Sequence, residues 1–453
     1  MLNDKSKLKV AFYTLGCKVN QYETNGMIQK FKENGYQIVD FEEKSDIYVI
    51  NTCTVTNMSD KKSRQMIRRT KELNKNAIVV AVGCYAQVGK ENLEKIKEID
   101  LILGTNEKND IISYIEKNLK ENEKIEEISD VMHQTEFVDF GTVDYTEKTR
   151  AVIKIQDGCD RFCTYCIIPY ARGRVRSRKP DSIIKEIKTI ANNGIKEVVI
   201  TGIHVASYGK DFKEKYQLID LLEEINKIEG IERIRLGSLE PTLIEENFIN
   251  RLIKLEKICD HFHLSLQSAC NETLNRMNRK YTIEEFINCT KLIRNYYKNV
   301  SLTTDIIVGF PGETEEEFST TFENLEDIKF YRMHVFKYSP RKGTKAAVMK
   351  NQIDGNKKEE RSRKLIDMSN CNEKEKNNSY IGKRVNVLFE EQDNEYIKGH
   401  TTNYMTVKVK SNDEKIQNRI LEVEVIGTDE LELIGKIIWN NIFLDKIIAY
   451  FWM

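Results

Sequence analysis

The sequence has no net charge, no apolar leader and no hydrophobic run that could cross a membrane. Its 71 basic and 71 acidic residues balance, which argues against a surface that coats DNA but allows local basic patches. The first nine residues are polar and lead into a strand, so we expect a cytoplasmic protein. A chain of 453 residues is too long for one core, and several domains are expected.

An apolar tail, residues 437–453, departs from this composition. It is shorter than the ~20 residues of a membrane span, and Asp445 and Lys446 interrupt it. We expect this tail to dock on the protein, with peripheral membrane contact as the alternative and no stable membrane association.

Ten cysteines are present, but nothing indicates a disulfide scaffold. In a long chain without a leader, cysteines are more often metal ligands, catalytic thiols or buried apolar residues. The cysteines that follow no ligand spacing are interpreted as buried or incidental thiols: Cys259, Cys270, Cys289 and Cys371. The other six form two sets of three.

The compact set is Cys159, Cys163 and Cys166, in GCDRFCTYC. Cysteine thiolates hold iron–sulfur clusters, normally four to a cubane, so a triplet leaves one iron open to another ligand. The alternative is a zinc site, but no Cys or His pair lies nearby to complete its tetrahedral ligand set.

The dispersed set is Cys17, Cys53 and Cys84, and it depends on the predicted fold for its meaning. Short apolar runs at 9–15, 46–51 and 77–82 alternate with helical stretches near 20–35 and 57–74, which indicates a parallel α/β sheet. Each cysteine follows one of these strands. Because ligands bind beyond the carboxyl ends of parallel strands, we expect the three to form one site.

The rest of the chain predicts a multidomain α/β protein. After residues 1–120, an acidic and irregular linker is expected at 121–149. Residues 150–354 contain six further strands alternating with helices, which predicts an open, partial (β/α)6 barrel. These strands are expected at 151–157, 197–202, 233–237, 262–266, 302–309 and 333–339. A charged helical connector at 355–378 precedes a small β-barrel at 379–436.

Residues 8–436 resemble the methylthiotransferase family of radical S-adenosylmethionine (SAM) enzymes. The resemblance rests on the compact triplet after a strand, on Tyr165 beside its last cysteine, and on TLGCKVNQYET and GHTTNYMTVKV. It implies an N-terminal domain with an auxiliary cluster, a radical SAM barrel and a C-terminal RNA-binding TRAM domain.

The resemblance also implies the chemistry. Two [4Fe-4S] clusters would be held by the two triplets, and two SAM molecules would be used in each turnover. One SAM yields a 5′-deoxyadenosyl radical that removes hydrogen from C2 of an adenine, and the second methylates sulfur carried by the auxiliary cluster. The implied partners are the anticodon loop of tRNA, a reductant such as flavodoxin or ferredoxin, and a sulfur donor.

The stretch TLGCKVNQYET resembles the branch that modifies N6-threonylcarbamoyladenosine at tRNA position 37. The branch that modifies isopentenyladenosine usually has Phe-Gly-Cys-Gln-Met-Asn here, and a third branch modifies an aspartate of a ribosomal protein. A non-catalytic iron–sulfur protein that binds RNA is the alternative from a different class.

Residues at predicted strand ends are candidate SAM contacts by the same resemblance. They are Tyr165, Gly202, His204, Ser238, Glu240, Ser265, Gln267, Ile306 and Gly309. Small residues at such positions let the backbone approach a nucleoside, but ordinary strand-to-helix turns use them as well. A lone histidine such as His204 is as readily structural as functional.

Two basic stretches are candidate RNA contacts. In RGRVRSRK, arginines spaced by two share one face of an extended segment beside the compact triplet, which suits phosphates or the SAM carboxylate. They are Arg172, Arg174, Arg176 and Arg178. The stretch 61–75 is either a solvated helix face or an RNA contact, and Tyr404 and Lys408 are candidates in the β-barrel.

Overall fold

The computed structural model describes residues 8–143 and 149–439. Its N-terminal unit is a six-stranded parallel sheet in the order β2-β1-β3-β4-β5-β6. The strands are β1 (Lys9–Thr14), β2 (Gln37–Val39), β3 (Ile47–Thr52), β4 (Ile78–Gly83), β5 (Leu101–Leu103) and β6 (Ile125–Glu127). The helices are α1 (Lys18–Glu33), α2 (Asn57–Leu73), α3 (Cys84–Val88), α4 (Lys90–Leu93) and α5 (Ile111–Glu121).

The three predicted strands are β1, β3 and β4, and the predicted parallel α/β sheet is confirmed. The strands that the sequence did not indicate are three residues long, too short for a hydrophobic run to mark them. The predicted linker at 121–149 contains the three-residue strand β6, so it is not irregular throughout, and its boundaries stay a prediction. Phe140 and Val143 of this segment are buried, because the chain packs between the first two units.

The second unit is the partial barrel. Its strands are β7 (Arg150–Asp157), β8 (Arg176–Ser177), β9 (Glu197–Gly202), β10 (Arg233–Leu236), β11 (His261–Gln267), β12 (Ser301–Val308) and β13 (Arg332–Lys337). The helices are α6 (Ile168–Arg172), α7 (Pro180–Asn192), α8 (Leu218–Asn226), α9 (Glu246–Leu252), α10 (Asn271–Arg276), α11 (Ile283–Tyr296) and α12 (Glu315–Ile328).

The six predicted barrel strands are all present and run parallel. They form the sheets β10-β9-β7-β8 and β11-β12-β13, which isolated bridges join at Ile234–Ile258 and Leu239–Leu264. Only the two-residue β8, antiparallel to β7, was not predicted. The carboxyl ends of the parallel strands therefore share one rim, as expected for loops that carry a site.

Helix α13 (Gly355–Asn378) leads from the barrel to a closed five-stranded β-barrel, in agreement with the predicted small barrel. Its strands are β14 (Arg384–Asp393), β15 (Tyr396–His400), β16 (Thr406–Lys410), β17 (Ile420–Asp429) and β18 (Glu432–Ile437). In the described residues, no helix combines the length and apolar character that a bilayer crossing requires. The predicted docking of the apolar tail concerns residues that are mostly outside the described ones.

The β-barrel plugs the amino-terminal end of the parallel barrel. Tyr404 stacks on His261 and His400, with ring centroids 4.8 and 4.7 Å apart, and the guanidinium of Arg235 lies 4.7 Å from its ring. Arg233 donates to the carbonyl oxygen of His400 at 2.9 Å. Aromatic stacking and buried arginines thus close this end of the lumen.

Candidate active site

The dispersed cysteines meet at one edge of the N-terminal sheet. Cys17 precedes α1, Cys53 follows β3 and Cys84 begins α3, and β1, β3 and β4 are neighbours in the sheet. The Cys53 thiol interacts electrostatically with those of Cys17 and Cys84. Gly16 has φ +98°, and a side chain there would meet Cys53 Sγ at 2.7 Å. A glycine is required there because the backbone approaches a sulfur closely.

The compact triplet occupies the loop between β7 and α6. The backbone N–H of Arg161 donates to Cys159 Sγ at 3.5 Å, and Arg279 Nη1 donates to Cys163 Sγ at 3.2 Å. Cys166 interacts electrostatically with both other thiols. Hydrogen bonds to the ligand sulfurs are what anionic iron–sulfur clusters receive from their surroundings.

Burial raises the pKa of the Cys53 and Cys159 thiols to about 11 and that of Cys166 to about 12. Because metal ligation requires thiolates, positive charge must compensate their desolvation, and cluster irons would supply it. All ten cysteines are free thiols. The residues therefore fit two clusters, each with three cysteine ligands.

A buried charge network beside Cys84 supports this fit. Arg172 donates from Nε to Cys84 Sγ at 3.3 Å and from Nη1 to Glu23 at 2.7 Å. Lys108 also binds Glu23, and Arg176 pairs with Asp157. Lys154 binds both carboxylates. Four cations thus face two carboxylates, and the surplus positive charge suits an anionic cluster at Cys84.

A cavity of about 300 Å³ lies between the two triplets. One side is formed by Cys166 with Tyr165, and the other by Val55 and Thr56, which follow Cys53 closely in the chain. Ile167 and Ile168 extend the side that Cys166 forms. The strand ends of the barrel contribute the other walls: Gln267, Asp305, Ile307, Phe336, Lys337, Tyr338 and Ser339. This volume is at the lower end of the range for small-molecule sites, and it touches residues next to both clusters.

Glu240 and His204, both predicted SAM contacts, lie together near the compact triplet. His204 Nε2 donates to Glu240 at 3.0 Å, and Arg161 pairs with the same carboxylate. Arg279, which also donates to Cys163, lies 3.6 Å from Glu240. Burial alone would raise the pKa of Glu240, but the hydrogen bond from His204 and the nearby arginines lower it from 4.5 to about 2. This carboxylate is therefore ionised beside the triplet.

Two of the other predicted SAM contacts line the cavity, and the remaining five do not. Tyr165 and Gln267 line the cavity, Ser238 is exposed, and the Ser265 carbonyl accepts from Tyr281. Gly202 packs against Gln156, which accepts from the His204 N–H at 2.7 Å.

Ile306 and Gly309, two further predicted SAM contacts, are both closely packed. Ile306 has no exposed surface and belongs to the main hydrophobic core. The Gly309 N–H donates to Glu313 at 2.7 Å, and a side chain at this glycine would meet Lys358 at 2.3 Å. Their predicted contact with SAM stays a prediction, because the burial of these residues does not decide whether their backbone meets a nucleoside.

The predicted arginine stripe is wrong as an exposed surface. Arg172 ends helix α6, so the four residues do not share one extended segment. Arg172, Arg176 and Arg178 are buried, and Arg178 binds Glu186 and lies 3.0 Å from the Tyr22 hydroxyl. Of the four, only Arg174 is exposed, where it pairs with Asp160, and its predicted contact with RNA stays a prediction. The three buried arginines instead lie at the interface between the first two units, where they pair with buried carboxylates.

The predicted RNA contacts of the β-barrel are also corrected in part. Tyr404 forms the plug described above, so its ring is not free to stack on a base. Lys408 pairs with Asp429 and Glu432. In the basic stretch 61–75, Arg69 pairs with Glu42, and most of the other basic side chains are exposed.

Several residues at the site were not predicted. Arg279 belongs to no recognised sequence motif, and only the folding of the chain brings it to Cys163. His263, Asp305 and His334 form a hydrogen-bonded group on the lumen wall, with Asp305 3.2 Å from each imidazole. The alternation of polar side chains along β11 and β12 was the signal that could have revealed this wall.

The sequence matches two known families. Residues 153–325 match the Radical SAM superfamily, and residues 9–104 match a family described as Uncharacterized protein family UPF0004. The first match covers the compact triplet and the second covers the dispersed one.

Curated relatives match nearly the whole chain. It is 42% identical to threonylcarbamoyladenosine tRNA methylthiotransferase MtaB of Bacillus subtilis (strain 168), over 92% of this chain and 93% of that protein. Identity to the MtaB of Aquifex aeolicus (strain VF5) is 43%, over 88% and 96%. Identity to tRNA-2-methylthio-N(6)-dimethylallyladenosine synthase of Alkaliphilus oremlandii (strain OhILAs) is 35%, over 95% and 93%.

Among solved structures, the radical SAM methyltransferase TsrM of Kitasatospora setae aligns with a TM-score of 0.54 and 16% identity. The alignment covers 73% of each chain and shows a shared fold. Together with the two cysteine sites and the cavity between them, the close relatives assign the family. The chain belongs to the methylthiotransferase family of radical SAM enzymes.

Proposed function

We propose that this protein adds a methylthio group to C2 of N6-threonylcarbamoyladenosine at tRNA position 37. The observation that carries the proposal is the cavity between the two cysteine triplets. A reaction that needs a radical from one cluster and sulfur from another requires the target atom to lie between them. An unpaired base of an anticodon loop can be turned into such a pocket.

Cys159, Cys163 and Cys166 would hold one four-iron cluster, and Cys17, Cys53 and Cys84 the other. With two SAM molecules, these groups supply the reductive cleavage of SAM and the sulfur and methyl that are transferred. Each set has three cysteines, so one iron of each cluster is open to SAM or to sulfur.

The chain's own residues position and shield the reactants. Glu240 presents an ionised carboxylate beside the compact triplet, a suitable partner for the ammonium of SAM. Tyr165 and Phe336 give the cavity apolar walls that exclude water. Arg279 holds Cys163 and Glu240 in one place, so the ligand loop and the carboxylate keep a fixed relation.

The partners follow from this chemistry. The reaction needs electrons, for which a flavodoxin or ferredoxin is the proposed source, and a sulfur donor that replenishes the auxiliary site. Because tRNA is the substrate, we place the reaction in the cytoplasm.

The nucleoside profile of tRNA tests the reaction and the branch together. A strain without the gene should lose 2-methylthio-N6-threonylcarbamoyladenosine and retain its precursor, as measured by liquid chromatography and mass spectrometry. Loss of the methylthio form of isopentenyladenosine instead would assign the branch of the relatives that are 35% identical. An unchanged profile of both nucleosides would contradict a role in tRNA.

A further inference from the structure

The lumen of the parallel barrel continues below the cavity as a polar passage. Gln267 lines the cavity, and His263 and His261 follow on the same face of β11 toward the plug. Asp305 also lines the cavity and binds His263, while His261 stacks on Tyr404. A substituent on a base held in the cavity would meet this polar wall.

Lys18 extends into this passage from the auxiliary site. It is the first residue of α1 and follows Cys17 directly, and both residues are exposed. Its ammonium nevertheless interacts electrostatically with Tyr404, Arg150, Arg235 and Glu197 at the plugged end. Because the Lys18 side chain is exposed to solvent and also interacts with groups at the closed end, it lies in the water-accessible lumen of the barrel.

The ammonium of Lys18 forms no hydrogen bond or ion pair within residues 8–143 and 149–439. Glu197, whose charge reaches it, already binds Arg235. The cationic neighbours of the ammonium are neutralised, since Arg235 binds Glu197 at 2.7 Å and Arg150 binds Glu390 at 2.7 Å. A cation in the first turn of a helix is also disfavoured by the helix dipole. An anionic ligand would remove both costs.

We propose that Lys18 binds the carboxylate of the threonylcarbamoyl group and thereby selects an acidic N6 substituent. This inference rests on the proposed function. In adenine, C2 and C6 flank N1, so a group on N6 extends past the edge that carries C2. If C2 faces the auxiliary site, the substituent runs beside Cys17 and brings its carboxylate to the adjacent lysine.

The chemistry separates the two tRNA branches. A carboxylate and an ammonium form a charge-assisted hydrogen bond, whereas an isopentenyl group has no acceptor to offer. A site built to bind a polar group rejects an analogue that lacks it, because its own polar group stays unpaired. Lys18→Gln removes the positive charge and keeps a polar side chain, so it is the informative change.

The test uses the reconstituted holoenzyme under anaerobic conditions, with anticodon stem–loop RNA that carries threonylcarbamoyladenosine. Lys18→Gln should raise KM for this RNA on the order of 10- to 100-fold, the effect of losing one charge-assisted hydrogen bond. Lys18→Arg should restore most of the affinity. Lys185→Gln, which removes an exposed charge on α7, should behave like the wild type.

A neutral substrate tests the same contact without any variant. Wild-type enzyme should prefer the free acid to the RNA whose threonyl carboxylate is converted to the carboxamide, and Lys18→Gln should not distinguish them. Equal use of both RNAs by the wild type, or a Lys18→Gln enzyme that still prefers the acid, would overturn the inference. If the wild type methylthiolated neither RNA, the proposed function itself would fail.

Discussion

Arg172 donates a hydrogen bond from Nε to Cys84 Sγ at 3.3 Å, although the two residues belong to different units. Arg172 ends the helix that follows Cys166, and Cys84 belongs to the dispersed triplet. One side chain therefore connects the loop of one cysteine site with a ligand of the other. The distance between the two sites is set by a buried contact rather than by a flexible linker.

Arg172→Met should destabilise the protein by about 3–5 kcal/mol, because Glu23 and Asp157 lose a buried partner. The variant should also bind less iron at the dispersed triplet. Urea unfolding and iron content measure the two effects. Arg174→Met, whose side chain is exposed, should change the free energy of unfolding by less than about 1 kcal/mol. Equal effects of the two substitutions would contradict the assigned interface.

Replacing each triplet by alanines should separate the two sites. With Cys159, Cys163 and Cys166 changed, iron should fall from about eight to about four atoms per chain, and SAM cleavage should be lost. With Cys17, Cys53 and Cys84 changed, the same iron loss should leave SAM cleavage measurable and abolish methylthiolation. Iron assays and detection of 5′-deoxyadenosine distinguish these outcomes. Loss of all iron in either variant would argue against two independent sites.

Arg341 joins the two units near Cys53, where it binds Asp60 at 2.6 Å and Asn57 at 2.7 Å. Arg341→Met should lower the unfolding free energy by about 3 kcal/mol, since it leaves the buried Asp60 without this partner. Methylthiolation should fall more than SAM cleavage, because the cavity wall at Val55 is displaced. Lys342→Met removes only an exposed pair with Glu91 and should have almost no effect.

A side chain that fills the cavity should block the RNA step and spare SAM cleavage. Val55 is 52% exposed and lines the cavity, so Val55→Trp should place an indole where the base is proposed to bind. Product formation on tRNA should fall at least tenfold. Val348 is 85% exposed and lies off the cavity, so Val348→Trp is the matched control. Unchanged methylthiolation by Val55→Trp would exclude this cavity as the base site.

The stability of the protein should depend on pH through Glu240. Its pKa in the folded state is about 2, below the ordinary 4.5, because His204 and neighbouring arginines offset the effect of burial. Its contribution is thus complete above pH 4.5 and declines as the pH falls toward 2. The difference in unfolding free energy between wild type and Glu240→Gln should shrink from pH 5 to pH 3. Anaerobic urea titrations at several pH values measure it, and a constant difference would contradict the lowered pKa.

The sequence predicted the architecture well because the strands are buried, apolar and separated by amphipathic helices. It also predicted that Cys17, Cys53 and Cys84 meet at one edge of the sheet, because the carboxyl ends of parallel strands lie at the same edge. Strands such as β2 and β5 were missed because three residues carry no periodicity.

The failures concern residues whose partners are distant in the chain. Arg172 and Arg178 were predicted to contact phosphates or the SAM carboxylate, yet both are buried at the interface between the first two units. Arg172 binds Glu23 of the first unit, and Arg178 binds Glu186 of its own unit and contacts Tyr22 of the first. Tyr404 read as a platform for RNA, but a histidine of the parallel barrel covers it. Local spacing does not reveal which surface packs against another domain, so these contacts required the structure.

Because the stacked ring of Tyr404 closes the amino-terminal end of the parallel barrel, the cavity has its entrance at the opposite end. Whatever occupies the cavity must enter and leave past the cysteine loops, and a bound nucleotide obstructs that traffic for smaller molecules. If a bound RNA covers this entrance, SAM and sulfur have to bind before the RNA. Product departure must likewise precede the next reloading, which makes every turnover a complete cycle of docking and release.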